Sequence, residues 1–408
     1  MLRRYFWIAF SVVSMQLTAF PPPIAARNLN ESQWVGTWAT PPVQADSQRT
    51  FNRQTLRQLV HTSIGGSEAR VQISNLFGKR PLRVEDVHLA RPKDGSSIIS
   101  GTDRQLFFKG HASTTIPAGA SVASDPVAFA VPPLEDVAIS MYIPGSTGPP
   151  TFNPAAHQTS YIAPGDVSGN QTLPNAAPTG SWYFIINLDV QGSELRGAVV
   201  MFGASITNGY KSTDDANRRW PDALSQRLAD AELRIGVLNE GISGNRLLTN
   251  GTGPSAESRF DRDVLAQPGV RWVIFSDDPI NDLGSTSPPP TAEALINGIQ
   301  RLIAEAHQRH VRFFCSTLTP YQGANYWTPA GEAARERINA FLRSKTSGCD
   351  AVVDQDAASH DPARPTRFLP AYDSGDHLHP NDAGMQAIAD AVNLALFSQP
   401  ATTTNRAR

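Results

Sequence analysis

The chain is poor in the features that most narrow a function. It has only two cysteines in 408 residues, Cys315 and Cys349, too few for the disulfide framework on which small secreted domains depend. No Cys-x-x-Cys or His-x-x-x-His pair is present, so the usual metal-ligand spacings are missing and neither a metal nor a cofactor is expected. Charge of one sign is not in excess: 35 basic residues face 37 acidic ones, a net of -2. That balance leaves no electrostatic footprint for a nucleic-acid backbone or an anionic membrane surface.

Long apolar runs are confined to the start of the chain. Arg3 and Arg4 precede the run Tyr5 to Phe20, and small residues follow to Ala26, the order of a secretory signal peptide. Ser11, Ser14 and Gln16 interrupt a run already short for a bilayer span of ~20 residues. The expectation is therefore a signal peptide over 1–26, a secreted or periplasmic protein, and no stable membrane span after processing. Sec and Tat routes are not separated by these residues. If Cys315 lies mid-strand and Cys349 at the start of a neighbouring strand, the two are too far apart to bridge, and two buried thiols are expected.

The length suits two domains. From Trp34 to about Gly192 apolar residues alternate, as in Val137 to Ile143 and Ala69 to Ile73, and turn signals such as Gly65-Gly66, Pro132-Pro133 and Pro144-Gly145 intervene. This is the pattern of an all-β sandwich, jelly-roll-like, assigned to 34–192. Trp182 and Tyr183 are expected in its core. The Pro-, Gly- and Ser-rich stretch 145–178 reads as a long loop or crossing linker.

Beyond Leu195 the texture changes. Continuous apolar runs at Ala198–Phe202, Ile235–Leu238, Trp272–Phe275, Val311–Leu318 and Ala351–Val353 alternate with helical patterns near Pro221, over Leu295 to Ala306, over Pro329 to Leu342 and over Asp382 to Leu396. Such alternation gives α/β architecture, a flavodoxin-like parallel sheet covered on both faces, assigned to 196–398. Residues 399–408 read as a disordered tail.

In such sheets chemistry gathers at the carboxyl ends of the strands. Ser205 follows the first strand in Gly203-Ala204-Ser205-Ile206-Thr207-Asn208-Gly209, where a sharp turn exposes its hydroxyl and frees backbone N–H groups. Asp376 and His379 stand three apart before the last helix, a spacing that lets the carboxylate orient an imidazole whose other nitrogen activates a hydroxyl. His377 beside them reads as a solvated bystander. Gly244, after the second strand, and Asn281, after the third, offer a backbone and an amide N–H to a developing oxyanion alongside the N–H of Ser205.

These four blocks, in the chain order Ser205, Gly244, Asn281 and then Asp376 with His379, over about Gly197 to Phe397, resemble the SGNH (GDSL-type) hydrolases. Arg218-Arg219-Trp220-Pro221-Asp222, Ser243 to Arg246 and Asp373 to Asp382 resemble a secreted subgroup in which a β-sandwich precedes the hydrolase. The resemblance implies a serine esterase with Ser205, Asp376 and His379 as catalytic residues and Ser205, Gly244 and Asn281 as oxyanion hole. Its substrate would be a small-molecule or carbohydrate ester, most simply an acetyl ester. A lipase or aryl-esterase of the same fold, and a decayed carbohydrate-binding protein, are the competing readings. Oligomeric state is left open. Two positions depart from the pattern. Ala204 stands where the family has Asp beside its nucleophile, and Pro279 where it has Gly. Loss of that carboxylate leaves loop donors without an acceptor, and Asp277 or Asp278, at the end of another strand, is expected to replace it.

Overall fold

The computed structural model describes residues 34–45 and 48–398. The expected signal peptide over 1–26 and the tail 399–408 lie outside the described residues. Among the described residues no helix is long and apolar enough to cross a membrane.

Alternation along Gly66–Ser74 places Ala69, Val71 and Ile73 on one side and leaves Glu68, Arg70 and Gln72 partly exposed. The strand pairs antiparallel with Ile185–Gln191, which pairs in turn with Val35–Ala39. A second antiparallel sheet is built around Gln54–His61, Asp136–Ile143 and Leu82–Ala90, with Ile139 opposite Gln58 and Leu89. Leu56, Val60, Val137, Ile139 and Met141 from this sheet join Ala69, Val71 and Ile73 in one core, so the two sheets form a sandwich. Trp182 and Tyr183 are buried in it, and Trp182 meets Trp38 edge-on at 4.9 Å.

The stretch 145–178 is not the loop that its composition suggests. It contains the strands Thr151–Asn153 and Ser160–Pro164, and Ala177–Thr179 begins at its end; Ser160–Pro164 pairs with Gln54–His61. Its Gly residues and most of its Pro residues fall between short strands, while Pro164 and Pro178 lie in the two strands nearest one edge of the sheet. The buried guanidinium of Arg57 holds the loop after Pro164 by donating to the carbonyls of Ser168 and Asn170 at 2.9 and 2.7 Å, so polar contacts do work that composition assigns to apolar ones.

The second half is a five-stranded parallel sheet of β1 (Gly197–Gly203), β2 (Ile235–Gly241), β3 (Val270–Phe275), β4 (Arg312–Ser316) and β5 (Ala351–Val353), in the order β2-β1-β3-β4-β5. That is the flavodoxin-like order, which reverses beside β1. All seven residues of β1 are buried because both faces are covered. Val199 and Met201 pack with Trp220, Leu224 and Leu228 of α2 (Trp220–Asp230). Ala198, Val200 and Phe202 face the opposite way, toward Phe260 and the helix Ala292–Gln308. In that helix Leu295, Ile299, Leu302, Ile303 and Ala306 are all buried, as their spacing predicts.

The last helix is shorter than its apolar pattern. It ends at Asp390, and Asn393 caps a separate 3-10 turn over Leu394–Phe397 by accepting from Ala395 N.

The sandwich and the parallel sheet share one hydrophobic cluster, from Val35 and Trp38 through Val200 and Phe202 to Leu342. Gly36 lies so close to Leu238 that a Cβ there would fall 2.9 Å from its methyl groups. Ser63 Oγ accepts from Val237 N at 2.9 Å.

The two cysteines are bridged, contrary to the expectation of separate thiols. Their Cα atoms are 5.8 Å apart. The expectation took an extended approach to β5, but the chain turns through Gly348 at φ 85°, and Asp350 clasps Phe313 of β4 through its N–H and its carboxylate. The turn brings Cys349 back beneath Cys315. Because the bridge closes a separation of 34 residues, its reduction is expected to lower stability by roughly 3–4 kcal/mol and Tm by ~5–10 °C. A thermal scan with and without reductant measures this, with Cys349→Ser as the non-reducible comparison.

Candidate active site

β1 ends at Gly203, and the chain turns at once into α1, the single turn Ser205–Asn208. Ala204 occupies the N-cap without a side-chain acceptor, a position at which Ser, Thr, Asp or Asn would hold first-turn N–H groups. A carboxylate from β3's loop takes that part. Asp277 accepts from Ala204 N at 3.0 Å, from Ile206 N at 2.8 Å and from Thr207 Oγ1 at 2.7 Å. The N–H of Ser205, in the same first turn, has no intrahelical acceptor and remains for an incoming oxygen.

Asp278 does not share this role. It is fully buried, and neither carboxylate oxygen has a hydrogen-bond partner among the described residues; the nearest cation, Arg259, is 3.9 Å away. Burial pushes its pKa up to about 8 against the pull of Arg259, and the neighbouring charges of Asp277 and Asp282 add to the rise.

Asp376 and His379 lie in the loop before α4, the helix Asp382–Asp390. Asp376 accepts from Leu378 N, His379 N and, at 2.8 Å, His379 Nδ1. Burial raises its pKa, but these hydrogen bonds outweigh burial and hold it at about 2. The carboxylate therefore stays charged across the working range. His379 Nε2 lies 2.8 Å from Ser205 Oγ, and the two residues are each 8% exposed. Three residues separated by up to 174 positions thus form a continuous Ser–His–Asp relay. The neighbouring His377 faces outward and bonds Asp373 through Nδ1 at 2.5 Å.

Gly244 sits at φ 79° in the turn closed by Asn245 N donating to Ile242 O at 2.9 Å. Only glycine adopts that conformation without strain. Asn281 lies in α3 (Asp278–Ser285), with Pro279 in its first turn. A missing N–H is harmless there and the ring's fixed φ suits a helix, so the substitution of Pro for Gly is compatible with a helical start. Asn281 Nδ2 donates to Asn245 O at 2.9 Å, which ties the amide to the Gly244 turn. Asp282 secures the same loop from below by accepting from Leu247 N and Leu248 N at 2.6 and 3.2 Å; burial, opposed by these bonds, leaves its pKa raised to about 6.

Three neighbours were not singled out from sequence. Tyr326, in the loop after β4, donates to Asn281 Oδ1 at 3.1 Å and so fixes which end of the amide carries the N–H groups. Its ring has room because residue 284 is glycine, where a Cβ would fall 2.0 Å from Tyr326 Cδ2. The Tyr210 ring stands edge-on to His379 at 4.7 Å. Arg259, completely buried, donates to Gly203 O, Glu240 O and Asn245 Oδ1, linking the ends of β1 and β2 to the Gly244 turn. The aromatic content of Tyr321 to Trp327 was the available signal for Tyr326; Arg259 in a helix carries none. Removing only the phenol oxygen, in Tyr326→Phe, is expected to lower kcat for an ester by ~10-fold with KM nearly unchanged, since a freed amide presents its N–H less often. Steady-state kinetics at saturating substrate decides it.

The flavodoxin-like sheet thus carries a Ser–His–Asp constellation at its carboxyl edge, the arrangement found in α/β hydrolases. Residues 201–387 match the GDSL-like Lipase/Acylhydrolase family, so this part of the chain carries a GDSL-like hydrolase domain, and the protein is an ester hydrolase. No curated protein matches the chain in sequence. Among solved structures, it is similar to an acetylxylan esterase from Geobacillus stearothermophilus (21% identity, 51% of this chain and 97% of the other, TM-score 0.38). It is also similar to a GDSL-like lipase from Bacteroides thetaiotaomicron (17%, 50% and 89%, TM-score 0.38). A third is LAE5, an alpha/beta hydrolase enzyme from the metagenome of Lake Arreo, Spain (21%, 50% and 96%, TM-score 0.39).

Proposed function

We propose that the protein is an extracytoplasmic serine esterase that removes acetyl groups from carbohydrate through an acyl-enzyme on Ser205. The observation that carries the chemistry is the 2.8 Å contact of Ser205 Oγ with His379 Nε2, continued at 2.8 Å from His379 Nδ1 to Asp376. Ser205 Oγ attacks the ester carbonyl carbon while its proton passes to His379 Nε2. The oxyanion so formed takes hydrogen bonds from Ser205 N, Gly244 N and Asn281 Nδ2. Collapse breaks the bond to the alcohol oxygen, which leaves with the proton from His379. Water, deprotonated by the same imidazole, then attacks the acyl-enzyme and releases the carboxylic acid. Asp376, held ionised, keeps Nδ1 as a donor throughout.

The acetyl and carbohydrate assignments rest on the resemblance to secreted two-domain members. The sandwich over 34–192 and the hydrolase over 196–398 are the two domains of this reading, and the signal over 1–26 accounts for export. Acetate release from acetylated xylan, compared with p-nitrophenyl esters of increasing acyl length, tests it. Activity highest on acetyl esters and present on the polysaccharide is expected. Rates that climb with acyl length, with no acetate from xylan, would point instead to a lipase-like specificity.

A further inference from the structure

The sandwich meets the Ser205 helix at Asn208. Asn208, the last residue of α1 and three beyond Ser205, is buried at 4% exposure. Its Nδ2 donates to Ala155 O of the sandwich at 3.2 Å, which fixes the amide so that Oδ1 can only accept. Oδ1 receives Ser243 Oγ at 3.0 Å and faces His157 Nε2 at 3.2 Å. Ser243 immediately precedes Gly244. The other nitrogen of His157 lies 3.0 Å from Asp214 Oδ1. Asp215 N donates to His157 O, and the Asp215 carboxylate accepts from Thr159 N and Thr159 Oγ1. His157 itself is at φ 51°, a conformation that non-glycine residues hold only when the surroundings impose it. A sandwich segment is therefore clamped on both sides of an imidazole that points at the junction of the nucleophile helix and the Gly244 turn.

We propose that His157 is a positioning residue of the esterase site: through Asn208 and Ser243 it keeps the Ser205 helix and the Gly244 turn in register, so that the sandwich completes the oxyanion hole. This rests on the proposed acyl-enzyme reading for its kinetic consequence, though not for its structural one. The chain His157–Asn208–Ser243 has a single acceptor at its centre. When the imidazole donor is removed, Asn208 Oδ1 loses one of its two partners and the turn carrying Gly244 loses a restraint, and small misplacements of reacting groups are costly.

The test compares the full chain with His157→Met, which fills the space without a donor, and His157→Gln, whose amide N–H can reach Asn208. Two readouts are taken: kcat and KM for p-nitrophenyl acetate, and amide hydrogen exchange resolved along the chain. For His157→Met the expected result is a kcat ~10-fold lower with KM within about two-fold, and exchange faster by ~10-fold or more over 241–248 while the sheet strands are unchanged. His157→Gln is expected to restore most of both. Exchange over 241–248 equal to the parent protein in His157→Met, or accelerated uniformly along the chain, overturns the proposal. So does failure of Gln to improve on Met. If the parent protein turns over no ester, the acyl-enzyme reading fails, and the exchange comparison still decides the role of His157.

Discussion

Replacing Ser205 by alanine is expected to lower kcat/KM for p-nitrophenyl acetate by roughly 10⁴- to 10⁶-fold, since the residual rate then comes only from binding and oxyanion donors. The same change should leave Tm nearly unaltered. Among the described residues Ser205 Oγ has one hydrogen-bond partner, His379 Nε2, and loss of a single such bond costs about 1 kcal/mol. A large loss of activity without unfolding separates a nucleophile from a structural turn former. Comparable losses of both would place Ser205 among the residues that hold the turn. Asp277 belongs to that second group.

The second large effect is expected at Asp277. Its carboxylate takes three hydrogen bonds from the Ser205 turn while 3% exposed. Asp277→Ala leaves the N–H groups of Ala204 and Ile206 without acceptors in a buried place, at about 1–3 kcal/mol each. Stability is expected to fall by roughly 2–5 kcal/mol, and kcat/KM by ~10²-fold as Ser205 drifts from His379. Ala204→Asp alone should lower activity, because a second carboxylate would compete with Asp277 for the same donors and like charges disfavour each other. Combined with Asp277→Ala it should restore part of the loss, with a coupling of ~0.5–3 kcal/mol. Additive effects across the double-mutant cycle would mean that Asp277 acts independently of position 204. Circular dichroism melts and steady-state rates on the four proteins give both terms.

Much of this site could be read from the chain because it lies where regular elements end. Ser205, Gly244 and Asn281 each follow a strand marked by a continuous apolar run, and such runs are visible because both faces of the sheet are covered. Asp376 and His379 were legible by their spacing, a local property. What long-range contacts decide was less legible. Either Asp277 or Asp278 could have met the donors at Ala204, and the choice depends on which side of the strand end faces α1. Tyr326 matters through a ring that fits because residue 284 is glycine, a coincidence of two loops. The bridge of Cys315 and Cys349 depends on a turn at Gly348 that an extended-strand estimate omits. In the sandwich, turn residues of 145–178 hid three short strands, two of which, Thr151–Asn153 and Ser160–Pro164, pair with segments about a hundred residues earlier in the chain. Gln54–His61 and Ser160–Pro164 are neighbours only after the sheet has formed, so no local pattern could announce them.

The central claim is that Ser205 is the nucleophile activated by His379. The most direct measurement is the mass of the protein after incubation with a fluorophosphonate, followed by peptide mapping, because only an activated serine displaces fluoride and retains the phosphonyl group. The account predicts one equivalent of adduct, located on the peptide containing Ser205, absent in Ser205→Ala and much slowed in His379→Ala. Ester turnover in a protein that forms no adduct, or an adduct at another serine, would contradict it.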